Sequence, residues 1–92
     1  LREEMVVNIK SINVTTSKSN EEVMPKQGNY LYAAKTLTLA VSQDTNIFIN
    51  GSVEPVLVKS KYGLSIPVDM KMTIGSIIVE SENTEVYAVF AY

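Results

Sequence analysis

The sequence predicts a small all-β domain, an antiparallel β-sandwich or jelly-roll-like fold of about seven or eight short strands. Three observations carry this reading. Twelve valines, eight isoleucines and seven threonines among 92 residues favour the pleated surface on which branched side chains fit. No window repeats apolar residues at i, i+3, i+4 and i+7 over three turns, so no helix of any length is expected. Turn residues recur every eight to twelve positions or so, the spacing of sandwich strands.

Residues 1–92 form one domain on length grounds, and folding buries only about 60–65% of the unfolded surface of so short a chain. With no cysteine and no histidine, disulfides and the usual zinc sites are excluded. Partner subunits or an efficient sandwich core are the remaining sources of stability. The chain starts at Leu1 rather than methionine and is read as a fragment or a processed product. Residues 1–4 form a charged, frayed lead-in.

Met5 to Thr15 reads as the first strand. Val7 and Ile9 share one parity while Ile12 and Val14 take the other, which calls for a β-bulge near Lys10 and Ser11 or a strand crossing between sheets. Residues 16–29 are read as one long irregular loop, either a flexible surface segment or a subunit-bridging one. A short helical turn at Asn20–Met24, capped by Asn20, fits inside it. Tyr30 to Ala34 and Lys35 to Ser42 are extended, and Leu37, Leu39 and Val41 face the core. Asn50-Gly51, between Ile47-Phe48-Ile49 and Val56-Leu57-Val58, is the strongest short hairpin signal, because both residues tolerate the positive φ of a type I′ turn. Pro55 makes the returning strand an edge, or one that carries a bulge.

The longest alternation runs from Leu64 to Ile74. Leu64, Ile66, Val68, Met70, Met72 and Ile74 take every even position, with Ser65, Pro67, Asp69, Lys71 and Thr73 between them. Period two over eleven residues predicts a strand, or two strands meeting at a bend, around which the rest is organised. Met70 and Met72 then belong to the core, and Asp69 and Lys71 face water or a partner. After Gly75, Ile77 to Val79 form a further strand. The last strand, Glu85 to Tyr92, is apolar on both faces: Val86, Ala88 and Phe90 on one, Tyr87, Val89 and Ala91 on the other. It is expected either at the centre of a sheet or under another subunit.

A search for chemistry leaves no catalytic set. Glu80 and Glu82 are the nearest thing to paired carboxylates, but they sit by a turn where solvated acids are the default. A nucleophilic triad lacks its histidine, and Ser60 and Lys61 are neighbours on a turn. Four scattered glycines make no phosphate nest. Asp44, Asn46 and the Glu80–Asn83 loop carry no recognised calcium pattern. The protein is therefore read as no enzyme, with no cofactor and no metal. The net charge of −2 without a basic run argues against nucleic acid, and no stretch is long and apolar enough for a membrane-spanning helix. Asn13-Val14-Thr15 and Asn50-Gly51-Ser52 fit the glycosylation acceptor pattern, although Asn50 already serves the turn. The candidate contact surface comprises Tyr30 and Tyr32, expected on one face beside the long loop, with Tyr92, Lys71 and Asp69. Its tyrosines could stack on a sugar or a protein, or be half-buried members of a sheet.

The Met-Lys-Met-Thr-Ile-Gly-Ser-Ile-Ile-Val run from Met70 to Val79 and the closing Thr-Glu-Val-Tyr-Ala-Val-Phe-Ala-Tyr from Thr84 to Tyr92 resemble small β-sandwich modules of bacteriophage virions. These are head-fibre, capsid-decoration and tail-appendage domains. The resemblance spans some forty residues and carries no functional residue across. It implies a structural role on the virion, in a homo-oligomer with a trimer favoured, attached to a capsid or tail lattice. A glycan- or receptor-binding module is the alternative.

Overall fold

Two four-stranded antiparallel sheets face each other in the computed structural model, which describes residues 8–92. The lead-in at residues 1–4 and the start of the first strand at residues 5–7 lie outside the described residues. The elements are β1 (Ile9–Thr15), β2 (Glu21–Glu22), β3 (Lys26–Gln27), β4 (Tyr30–Leu31), β5 (Thr36–Val41), β6 (Thr45–Ile49), β7 (Val56–Val58), β8 (Leu64–Ile66), a 3₁₀ turn (Val68–Met70), β9 (Ile77–Val79) and β10 (Glu85–Ala91). One sheet runs β1-β10-β5-β8 and the other β2-β9-β6-β7, while β3 and β4 pair as a separate hairpin.

The pairings nest. β6 pairs with β7, β5 with β8, β2 with β9 and β1 with β10, so the chain is one long antiparallel ribbon doubled back at residues 50–55. The lateral pairs β5–β10 and β6–β9 roll that ribbon into two sheets, which is the jelly-roll arrangement. Branched residues at alternate positions make the inner faces. Leu37, Leu39 and Val41 of β5 stand opposite Phe90, Ala88 and Val86 of β10, and Ile47, Ile77 and Val79 answer them from the second sheet.

The Asn50-Gly51 turn is as expected. Both residues have positive φ (55° and 71°), and the Ser52 N–H bonds the Ile49 carbonyl at 3.0 Å, as a type I′ turn requires. The ladder resumes only at Val56, after Pro55, and β7 is indeed an edge. β10 is central in its sheet, between β1 and β5, with Val86, Ala88 and Phe90 in the core and Tyr87, Val89 and Ala91 on the outer face.

Four expectations are corrected. The Leu64–Ile74 strand ends at Ile66. Pro67 offers no N–H, the chain turns through Val68–Met70, and Lys71 closes the turn in the left-handed region at φ 56°. Met70 therefore leaves the core and is 57% exposed, Met72 is half-buried, and Ile74 returns to full burial against Ala34. The bulge near Lys10 and Ser11 is absent, because β1 keeps one register from Ile9 to Thr15. The parity slip arises because Ile9 simply points outward, 71% exposed. The long loop at residues 16–29 is threaded into the structure: β2 lies in it, and Val23 and Met24 that follow are buried core residues. Asn20 starts no helical turn there; it takes φ 56° and leads directly into β2.

Polar side chains close the sandwich where β1 ends and β10 begins. The buried Thr16 hydroxyl donates to the Ser81 carbonyl (2.8 Å) and accepts the Thr84 N–H (2.9 Å), while Gln43 Nε2 donates to Thr84 Oγ1 (2.7 Å). Thr45 and Ser81 join the same network. Among the described residues no buried side-chain nitrogen or oxygen lacks a partner, as a stable interior requires.

Candidate interaction site

Three surfaces emerge from this frame. The first is the outer face of the β1-β10-β5-β8 sheet. Register places Tyr87, Val89 and Ala91 of β10 between Ser11 and Asn13 of β1 and Thr36, Thr38 and Ala40 of β5. Ile9 and Ser65 extend the same face. None of these side chains carries a charge, Tyr87 is 49% exposed, and the exposed Glu85 at the start of β10 puts one carboxylate at the end of the same face. Alternation puts apolar residues there because every odd position of β10 from 87 to 91 is apolar.

The second surface is a cleft of about 390 Å³ between β7, the edge of one sheet, and β8, the edge of the other. Ile49, Val56, Leu64, Ile66, Met70 and Met72 line it, and Asn50, Ser52, Glu54 and Ser65 supply polar groups. The 3₁₀ turn walls the opening with Met70, so the break at Pro67 both removes Met70 from the core and creates the cleft. Asn50 holds the facing loop in place. Its Nδ2 donates to the Thr73 carbonyl (2.8 Å), and its Oδ1 accepts the N–H groups of Gly75 (2.7 Å) and Ser76 (3.3 Å). Three of the four hydrogen-bonding positions of the Asn50 side chain are thus used within the fold.

The third is aromatic. Tyr32 meets Phe90 at 5.6 Å and Tyr92 at 4.7 Å between ring centroids, both edge to face, and Lys10 Nζ lies 5.4 Å from the Tyr32 centroid. Such pairs add roughly 0.5–1.5 kcal/mol to simple burial. Of the residues expected to form a contact surface, Tyr32 and Tyr92 come together here, partly buried against the core. Tyr30 stands apart on the β3–β4 hairpin, 80% exposed. Asp69 and Lys71 lie on the 3₁₀ turn, with Lys71 beside a shallow dent shared with Lys35, Val68 and Thr73.

Carboxylates serve structure. Glu22 bridges β2 to β9, accepting the Ser76 hydroxyl and the N–H groups of Ile77 (2.7 Å) and Met24 (3.1 Å). Glu80 accepts Asn46 Nδ2 (3.0 Å) beyond the end of β9, and Glu82 follows in the next turn. Asp44 accepts the Ser60 N–H (2.8 Å). Glu21 accepts the Ser17 N–H (2.7 Å), which holds its carboxyl below the usual glutamate value against the opposing cost of desolvation; the Ser17 hydroxyl, the Lys18 N–H and the Lys18 charge lower it further. No group of three or more potential metal ligands occurs among the described residues.

The cleft was missed by sequence reasoning, since it needs the edge strands of two sheets brought to the same opening. The only local signal was Pro67 inside an otherwise regular alternation. Compared with protein-family models, curated proteins and solved structures, the chain finds no match in any of the three.

Proposed function

We propose that this domain is a structural, non-catalytic assembly module that works through subunit–subunit contacts, of the virion-surface kind its C-terminal half resembles. The observation that carries the reading is the outer face of β10 and its neighbours, uncharged from Tyr87 to Ala91, where Tyr87, Val89 and Ala91 leave apolar surface in water. Such a face fits a protein partner better than solvent. Light scattering on the purified protein tests it. The expected result is a homo-oligomer that Val89→Glu dissociates while the circular dichroism spectrum stays the same. A wild type that remains monomeric at several hundred micromolar overturns the reading.

The cleft favours a second reading, a receptor-binding module that seats an apolar side chain between Leu64 and Met70. Screening glycans and receptor ectodomains tests this one. Binding that is lost in Met70→Glu supports it, and binding unaffected by that change rules the cleft out.

A further inference from the structure

Of the four edges of the two four-stranded sheets, three are short and flanked by the chain's three prolines. β2 is two residues long with Pro25 just beyond it, β7 is entered through Pro55, and β8 ends at Pro67. Short strands and missing donors are how folded proteins prevent edge-to-edge pairing. β1 is the fourth edge and has neither protection. It runs seven residues without proline or bulge.

The direction of its backbone groups can be read off the ends of the ladder. Asn8 and Tyr92 exchange two hydrogen bonds (3.3 and 2.9 Å), and the Thr16 N–H bonds the Thr84 carbonyl (2.9 Å). Even-numbered residues therefore point their N–H and C=O at β10. Because bonded pairs alternate in an antiparallel ladder, Ile9, Ser11, Asn13 and Thr15 point theirs out of the sheet. None of these outward groups has a partner among the described residues.

We propose that β1 pairs antiparallel with β1 of a second copy, about a two-fold axis at Ile12. The inference rests on the assembly reading and adds to the β10 face a contact at the edge of the same sheet. The strand is its own complement in this register. Ile9 faces Thr15 of the second copy and Ser11 faces Asn13, so all four outward residues on each side find partners, which no other antiparallel register achieves within Ile9–Thr15. The only charged side chain of the strand, Lys10, then lies opposite Val14, and no like charges meet. Ile12 meets its own counterpart. Val14, 37% exposed, gains the aliphatic stem of Lys10, and Ile9 gains Thr15. The two β1-β10-β5-β8 sheets become one continuous sheet of twice the width.

Amide hydrogen exchange followed by NMR over a dilution series tests this, with light scattering on the same samples. In dilute, monomeric protein the amides of Ile9, Ser11, Asn13 and Thr15 exchange fast, and on association they slow about tenfold or more. Lys10, Ile12 and Val14 stay slow throughout. Ser11→Pro removes an outward donor and none of the β1–β10 bonds, so association weakens while the melting temperature of the dilute monomer is unchanged. An oligomer whose four outward amides stay fast, or a Ser11→Pro variant that assembles like the wild type, overturns edge pairing and leaves the assembly reading standing. Slow outward amides in the monomer also overturn it. A wild type that never associates overturns both.

Discussion

Single residues at turns decide where strands end, and their energetics are testable one at a time. Gly63 has φ 71°, and a Cβ there would sit 2.6 Å from the Leu39 carbonyl oxygen. Gly63→Ala combines backbone strain with a clash against a paired strand, so about 2–4 kcal/mol of stability should be lost in a denaturant titration. Gly51 has the same handedness but open space around it, and Gly51→Val should cost less, roughly 1–3 kcal/mol from strain alone. Lys71 sits at φ 56° without the local compensation that asparagine finds there. Lys71→Gly should raise stability by up to about 1 kcal/mol, and a lower melting temperature would refute the turn geometry. Glu21 adds a pH dependence. Its folded pKa lies below the unfolded value of 4.5, so the carboxylate stabilises the fold above that value and the contribution disappears as pH falls through the lower folded pKa. An NMR titration of the Ser17 amide should show its shift following that transition.

At the level of elements, the segment from Leu64 to Ile74 shows what periodicity can and cannot say. Its parity correctly marks Ile66 and Ile74 as buried, yet two of the residues between them lie outside the core. Truncating Ile74 to alanine should cost about 2–5 kcal/mol, while Met70→Ala should stay within about 0.5 kcal/mol. A large loss at Met70 would place it back in the core. Alternation was decisive for β5 and β10, where no proline interrupts it, and Asn50-Gly51 announced its own turn. Pro67 was equally visible, but an unbroken pattern of apolar residues outweighed it. β2 was illegible because two glutamates have no strand signature; their place is set by Glu22 accepting donors from β9, 55 residues away for Ile77. The cleft was illegible for the same reason, since it exists only once the two sheets bring β7 and β8 to the same opening.

For the whole molecule, the nested ribbon makes most contacts distant in sequence. Pairing Ile9 with Ala91 closes almost the entire chain into a loop, and such topologies fold in milliseconds to seconds rather than microseconds. Stopped-flow refolding should give a rate constant of roughly 1–10³ s⁻¹, and microsecond folding would contradict the topology. The same nesting has a mechanical side. Asn8 and Tyr92 are hydrogen-bonded neighbours, so a force applied through these two residues pulls β1 and β10 apart from one end. The bonds then break one pair after another, starting at Asn8–Tyr92, instead of sharing the load as they would in shear. A domain tethered through both positions opens like a zipper at low force. One anchored through a single end keeps β1 and β10 out of the line of tension.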